Sequence, residues 1–141
     1  MGISTQKGQK MQKKETKMDI IRTFRRFARL RLDKCDANPI QIYKKIDVLC
    51  SSRRSKLDML AVYDTMRLLE MNGESDVLNA MRSVYFFDLS HRLTSSTMSD
   101  LVKKYATDSF CDARTAYRRL ERARIIYEKI REREGLISDR A

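Results

Sequence analysis

Arg114, Arg118 and Arg122 stand at successive steps of four, with Thr115 and Arg119 beside them. On a helix, that spacing aligns three guanidinium groups along one face. Planar arginine forks suit phosphate oxygens and the acceptor edge of guanine, so the aligned arginines are candidates for DNA contact. Lys103 and Lys104 precede them and join the candidate set as point charges for a phosphate backbone. A second row, Arg22, Arg25, Arg26 and Arg29, provides candidate phosphate-binding residues near the other end. Catalytic chemistry is poorly provided for. His91 is the only histidine, so any Cys-His or Ser-His pair would have to be built around it, and after Asp88-Leu89-Ser90 it reads as a capping or solvated residue. Cys35, Cys50 and Cys111 are odd in number and widely spaced, without the pairs that a zinc site needs, and read as small buried thiols. No enzyme, metal site or cofactor is expected.

The elements that must position these residues follow from composition. Among 141 residues there are only 4 Gly and 1 Pro, too few for the turns of an all-β fold. Gly2, Gly8, Gly73 and Gly135 cannot assemble a phosphate-binding glycine loop, which sets aside Rossmann and P-loop enzymes. The formal net charge of +11 is segregated: residues 1–34 carry +8, residues 35–100 carry −1 and residues 101–135 carry +4. Basic ends around a neutral centre suit a polyanion at two places and a middle that packs or meets protein. No apolar run reaches the length of a membrane span and no signal-peptide core is evident, so no membrane partner is expected. Reduced cysteines point to a cytoplasmic, nucleoid-associated protein. The expected fold is all-α, a small helical domain with a C-terminal helix-turn-helix and a disordered basic N-terminal arm.

Along the chain, residues 1–17 hold five lysines and little apolar material and form that arm. Residues 18–90 are expected to be a helical core or oligomerisation region, residues 91–135 the DNA-binding region, and 136–141 a tail. Helices are predicted over about 18–34, 39–50, 54–72 and 74–88 from apolar residues at helical spacing. Asn38-Pro39 supplies a cap and first turn, and Asn72-Gly73 a stop. A short helix over about 98–106, capped by Thr97 or a serine before it, turns Leu101, Val102 and Tyr105 inward. A long helix then starts at Asp112, with Ala116, Leu120, Ala123, Tyr127 and Ile130 as its packed seam. The alternating charges of residues 128–134 read as a solvated face. A short helix, a turn and a longer helix with basic first turns is what a helix-turn-helix requires.

Residues 93–130 resemble the helix-turn-helix of sigma-factor region four and of small phage-type regulators built on it, the RinA- and ArpU-like late-gene activators. The resemblance rests on Leu93-Thr94, Leu101-Val102, Ala113-Arg114-Thr115, Tyr117-Arg118, Leu120 and Ala123. It implies that Arg114, Thr115, Arg118, Arg119 and Arg122 face DNA while the preceding helices support or dimerise. The chain departs from the family between Ala106 and Asp112, which is about three or four residues longer than the usual tight turn and holds no glycine. Phe110 or Cys111 would serve there as the buried turn residue.

The function expected from these observations is a sequence-specific, double-stranded-DNA-binding transcriptional regulator of phage or mobile-element type. RNA polymerase and a second copy of the chain are its candidate protein partners. Two alternatives stand beside it: a small-terminase-type protein recognising phage DNA for packaging, which would form rings, and a helical interaction module binding the transcription machinery without reading DNA. The arginine row also has a plainer reading, a solvated face paired with Glu121 and Asp112. An RNA-binding role is disfavoured because aromatic residues are not interleaved with the basic clusters.

Overall fold

A computed structural model of the protein describes residues 15–32 and 37–140, with side chains described as far as residue 134. Residues 1–14 of the expected arm (1–17) and Cys35 lie outside the described residues; the arm ends two residues sooner than expected, because Thr16 caps the first helix and Lys17 begins it. The described residues form six helices and no strand: α1 (Lys17–Arg29), α2 (Pro39–Leu49), α3 (Arg53–Met71), α4 (Ser75–Val84), α5 (Ser95–Asp108) and α6 (Ala113–Arg140). The fold is all-α. Among the described residues no helix is long and apolar enough to cross a membrane.

Local chemistry sets most of the boundaries. Thr16 and Asp19 form a reciprocal capping box at the start of α1, and Asn38 and Gln41 do the same for α2, with Pro39 in the first turn. Helix α3 starts on the Ser52 hydroxyl, which accepts from the Ser55 N–H. It ends in a Schellman turn: Gly73, at φ 74°, donates to the Glu70 carbonyl and Glu74 donates to that of Leu69. Helix α1 stops sooner than its apolar pattern suggests. Arg31 takes a left-handed φ of 61°, which turns Leu32 back into the core.

Helix α6 is the organising element. At 28 residues it runs for about 42 Å and packs against α1, α3, α4 and α5, while α2 has α3 as its main neighbour. Its seam is the expected one: Ala116, Leu120, Ala123 and Tyr127 are fully buried and Ile130 is partly so. Tyr127 meets the Phe24 ring edge-on at 5.3 Å between centroids, and Tyr85 lies against the other side of Phe24 at 5.7 Å. These contacts draw all six helices into one continuous hydrophobic core. Below Tyr127 sits a buried carboxylate, Asp58, which accepts from Arg131 at 2.8 Å, Arg26 at 3.3 Å and the Tyr127 hydroxyl at 3.4 Å. The expectation of a solvated face over residues 128–134 therefore fails for Arg131, and Glu134 too is half-buried, beside Asp64. The reason is tertiary: the inward arginine answers a carboxylate 73 residues earlier in the chain.

Helix α4 closes at Val84 rather than near residue 88. The cause is Arg25, whose side chain is only 4% exposed. Its guanidinium donates to the carbonyls of Tyr85, Phe87 and Asp88, each at 2.9 Å, and of His91 at 2.7 Å. A charged donor group thus satisfies carbonyls that a helix end leaves unpaired, and holds them in the connector, where Asp88 turns into the left-handed region at φ 46°. Phe86 stays half-buried, while Phe87 swings out to solvent.

Candidate nucleic-acid interface

The segment carrying the candidate DNA contacts is two helices joined by a short turn. Thr94 caps α5, one residue before the earliest cap expected, so the helix begins at Ser95 rather than near Met98 and runs on to Asp108. Four residues, 109–112, then separate α5 from α6. The turn repeats the Schellman pattern of Gly73: Phe110 donates to the Thr107 carbonyl at 3.3 Å and Cys111 to that of Ala106 at 2.9 Å. Phe110 occupies the position a glycine normally takes, at φ 56°, with 96% of its surface exposed. It is not the buried turn residue expected. Cys111 fills that role, packed against the core and within 3.8 Å of an Arg119 nitrogen.

Helix α6 opens on Asp112, whose carboxylate accepts from the Thr115 N–H at 2.7 Å. Hydrogen bonds from Thr115 hold that carboxyl below the ordinary aspartate range. Burying Ala116, Leu120 and Ala123 forces the intervening residues outward or sideways. The five candidate residues accordingly divide. Arg114 and Arg118, one turn apart, are exposed and form no ion pair or hydrogen bond through their side chains among the described residues. Thr115 is half-buried and serves the cap.

Arg119 and Arg122 are committed within the chain. Arg119 lies 3.4 Å from Asp76, donates to the Tyr105 hydroxyl at 2.8 Å and keeps 22% of its side chain exposed. Tyr105 passes the connection on by donating to the Asp76 carbonyl at 2.9 Å. Arg122 grips Glu74 through two nitrogens, at 3.1 and 3.2 Å. Both arginines therefore bind α6 to the start of α4. The plainer pairing expected from sequence named Glu121 and Asp112 for the row; Asp112 does lie in the field of Arg114 and Arg118, whereas Arg122 pairs with Glu74 instead. Lys103 and Lys104 are exposed on α5 in its last two turns.

The α1 arginines divide in the same way. Arg25 is a structural residue, buried and fully engaged, and offers nothing to a phosphate. Arg22 pairs with Asp19 at 3.2 Å and Arg26 with Asp58 at 3.3 Å, while Arg29 donates to the Leu89 carbonyl at 3.3 Å. His91 is exposed and hydrogen-bonded to Asp88 at 3.0 Å, beside Ser90. Two features escaped sequence reasoning: the outward, strained Phe110, and the approach of Arg54 and Arg92 to the α1 row. The missing glycine in the α5–α6 turn was the available signal for the first. Comparison with protein families, with curated proteins and with solved structures finds no match for this chain.

Proposed function

We propose that the protein is a sequence-specific DNA-binding transcriptional regulator, of phage or mobile-element type, that reads duplex DNA with the first two turns of α6. One observation carries the reading. Arg114 and Arg118 stand exposed at the start of a helix whose seam is locked into the core, in the field of the capping Asp112 but without an ion pair among the described residues, behind a four-residue turn and a shorter helix. A helix start adds its own positive end to those charges, which favours an anionic partner. Arg119 and Arg122 act one step back, as positioning residues that fix the angle of α6 through α4 and α5. RNA polymerase and a second copy of the chain remain proposed partners of such a regulator.

The test is selection from a random duplex library with the full-length protein at about 0.15 M salt, where weak electrostatic binding is screened. An enriched motif is expected. Arg114→Ala and Arg118→Ala should each weaken cognate binding by about 1–3 kcal/mol and random-sequence binding by less. Equal losses on cognate and random DNA would reduce both residues to phosphate contacts. Absence of any enriched motif from the folded protein would refute the regulator reading.

A further inference from the structure

A groove of about 870 Å³ opens between α1, the start of α3 and the connector leading into α5. Six arginines line it: Arg22, Arg25, Arg26, Arg29, Arg54 and Arg92. Against them stand three carboxyls, Glu15, Asp19 and Asp58. Asp19 is spent on the α1 capping box and Arg22, and buried Asp58 on Arg26 and Arg131. Burial, followed by the repulsion of Asp58, raises the Glu15 carboxyl above its ordinary range, while Arg131 and Arg54 draw it the other way. Arg25 and Arg29 hydrogen-bond to neutral carbonyls, with the Asp88 carboxylate acting on Arg25 at longer range. Arg54 and Arg92 make no ion pair or hydrogen bond among the described residues and are both exposed. The groove therefore keeps a surplus of positive charge inside a concave wall, which focuses the field on whatever enters.

The way the groove is built points in the same direction. Arg25 holds the connector carbonyls of Tyr85, Phe87, Asp88 and His91, and so anchors the segment that brings Arg92 to the groove. The start of α3 adds outward N–H groups, with Ser52 and Ser55 at the rim. Arginine forks from three separate segments, outnumbering the carboxylates among them by six to three, suit tetrahedral oxyanions with several acceptor oxygens. We infer that this groove is a phosphate-binding site, distinct from the start of α6, that takes the phosphate groups of a nucleic-acid backbone or of a free polyphosphate through Arg22, Arg29, Arg54 and Arg92. The inference goes beyond sequence-specific reading by α6 and stands or falls separately from it.

Arg54→Ala/Arg92→Ala is the variant of choice because neither side chain holds the fold. Full-length protein binds a random-sequence duplex at salt concentrations from about 50 to 300 mM, and the log–log slope is compared with the unaltered chain. Loss of two phosphate contacts makes the slope shallower by about two. The cognate-to-random affinity ratio stays the same, whereas Arg114→Ala and Arg118→Ala lower it. In the second arm, inorganic pyrophosphate at about ten times its Kd raises the melting temperature of the unaltered chain by about 3–6 °C and leaves the double variant unmoved. A slope change alone assigns the groove to a nucleic-acid backbone. A thermal shift alone assigns it to a free polyphosphate. An unchanged slope together with no thermal shift overturns the proposal, whatever α6 does.

Discussion

Replacing Arg25 with methionine keeps most of the aliphatic stem and removes every donor. Four carbonyls then lose a charged partner, those of Tyr85, Phe87, Asp88 and His91. The Tyr85 oxygen is the deepest, and leaving a buried acceptor unsatisfied costs about 1–3 kcal/mol. The other three are partly accessible, so water replaces part of each bond and about 0.5–1 kcal/mol apiece is lost. Relief from desolvating the guanidinium returns some of this, and the expected net loss is about 2–4 kcal/mol. Against a typical stability of about 5–15 kcal/mol, that is a large fraction. Urea unfolding measures it directly, and amide exchange should show residues 85–93 opening well before the core does. Arg25→Lys keeps the charge with three donors on a compact head, and should recover part of the loss. A loss below about 1 kcal/mol for Arg25→Met, or unchanged exchange across the connector, would refute the claim that this one side chain holds the α4–α5 junction.

Two further outcomes follow from the geometry. Phe110→Gly removes a bulky residue from the left-handed region without losing burial, so the protein should gain about 1 kcal/mol and melt roughly 2–4 °C higher; a lower melting temperature would show that the ring makes a stabilising contact. Burial and the neighbouring Asp64 push the Glu134 carboxyl up to about 7. A carboxyl raised in the folded state binds more protons there than in the unfolded chain, so stability should decline as pH rises from about 4.5 through about 7 and then level off. Glu134→Gln should flatten that slope and, allowing for the residue's partial exposure, add about 1–2 kcal/mol at pH 8. A slope that persists in the variant would place the titration elsewhere.

What could be read in the sequence was what neighbouring residues decide among themselves. Asn38-Pro39, Asn72-Gly73 and Asp112 mark helix ends through local hydrogen bonds, and all three do so in the structure. The seam of α6 was legible because one period runs through five residues. The start of α5 was ambiguous, since Thr94, Ser95, Ser96 and Thr97 are all good caps; Thr94 is used, and Met98, Val102 and Tyr105 then face the core. Helical spacing also shows which arginines share a face, but not what lies across from them. Glu74 stands 48 residues before Arg122, Asp58 is 73 residues before Arg131, and Arg25 answers carbonyls 60 to 66 residues later. Those distances explain why a row that looked uniformly available divides into two open arginines and two structural ones.

The dependence of the whole core on α6 has a consequence for how the chain is made. Helices α1 to α5 leave the ribosome first, yet Phe24 meets Tyr127, and Asp58 meets Arg131, only after α6 has followed. Until then the nascent chain exposes Phe24, Val62 and Met81 without the surface that covers them, and Asp58 lacks a principal counter-ion. The ring packing on Phe24 and the pairing of Asp58 with Arg131 therefore form late in synthesis, and the emerging chain presents apolar surface until α6 is complete. Premature termination before Tyr127 should yield no smaller working protein, only a fragment for the proteases to clear.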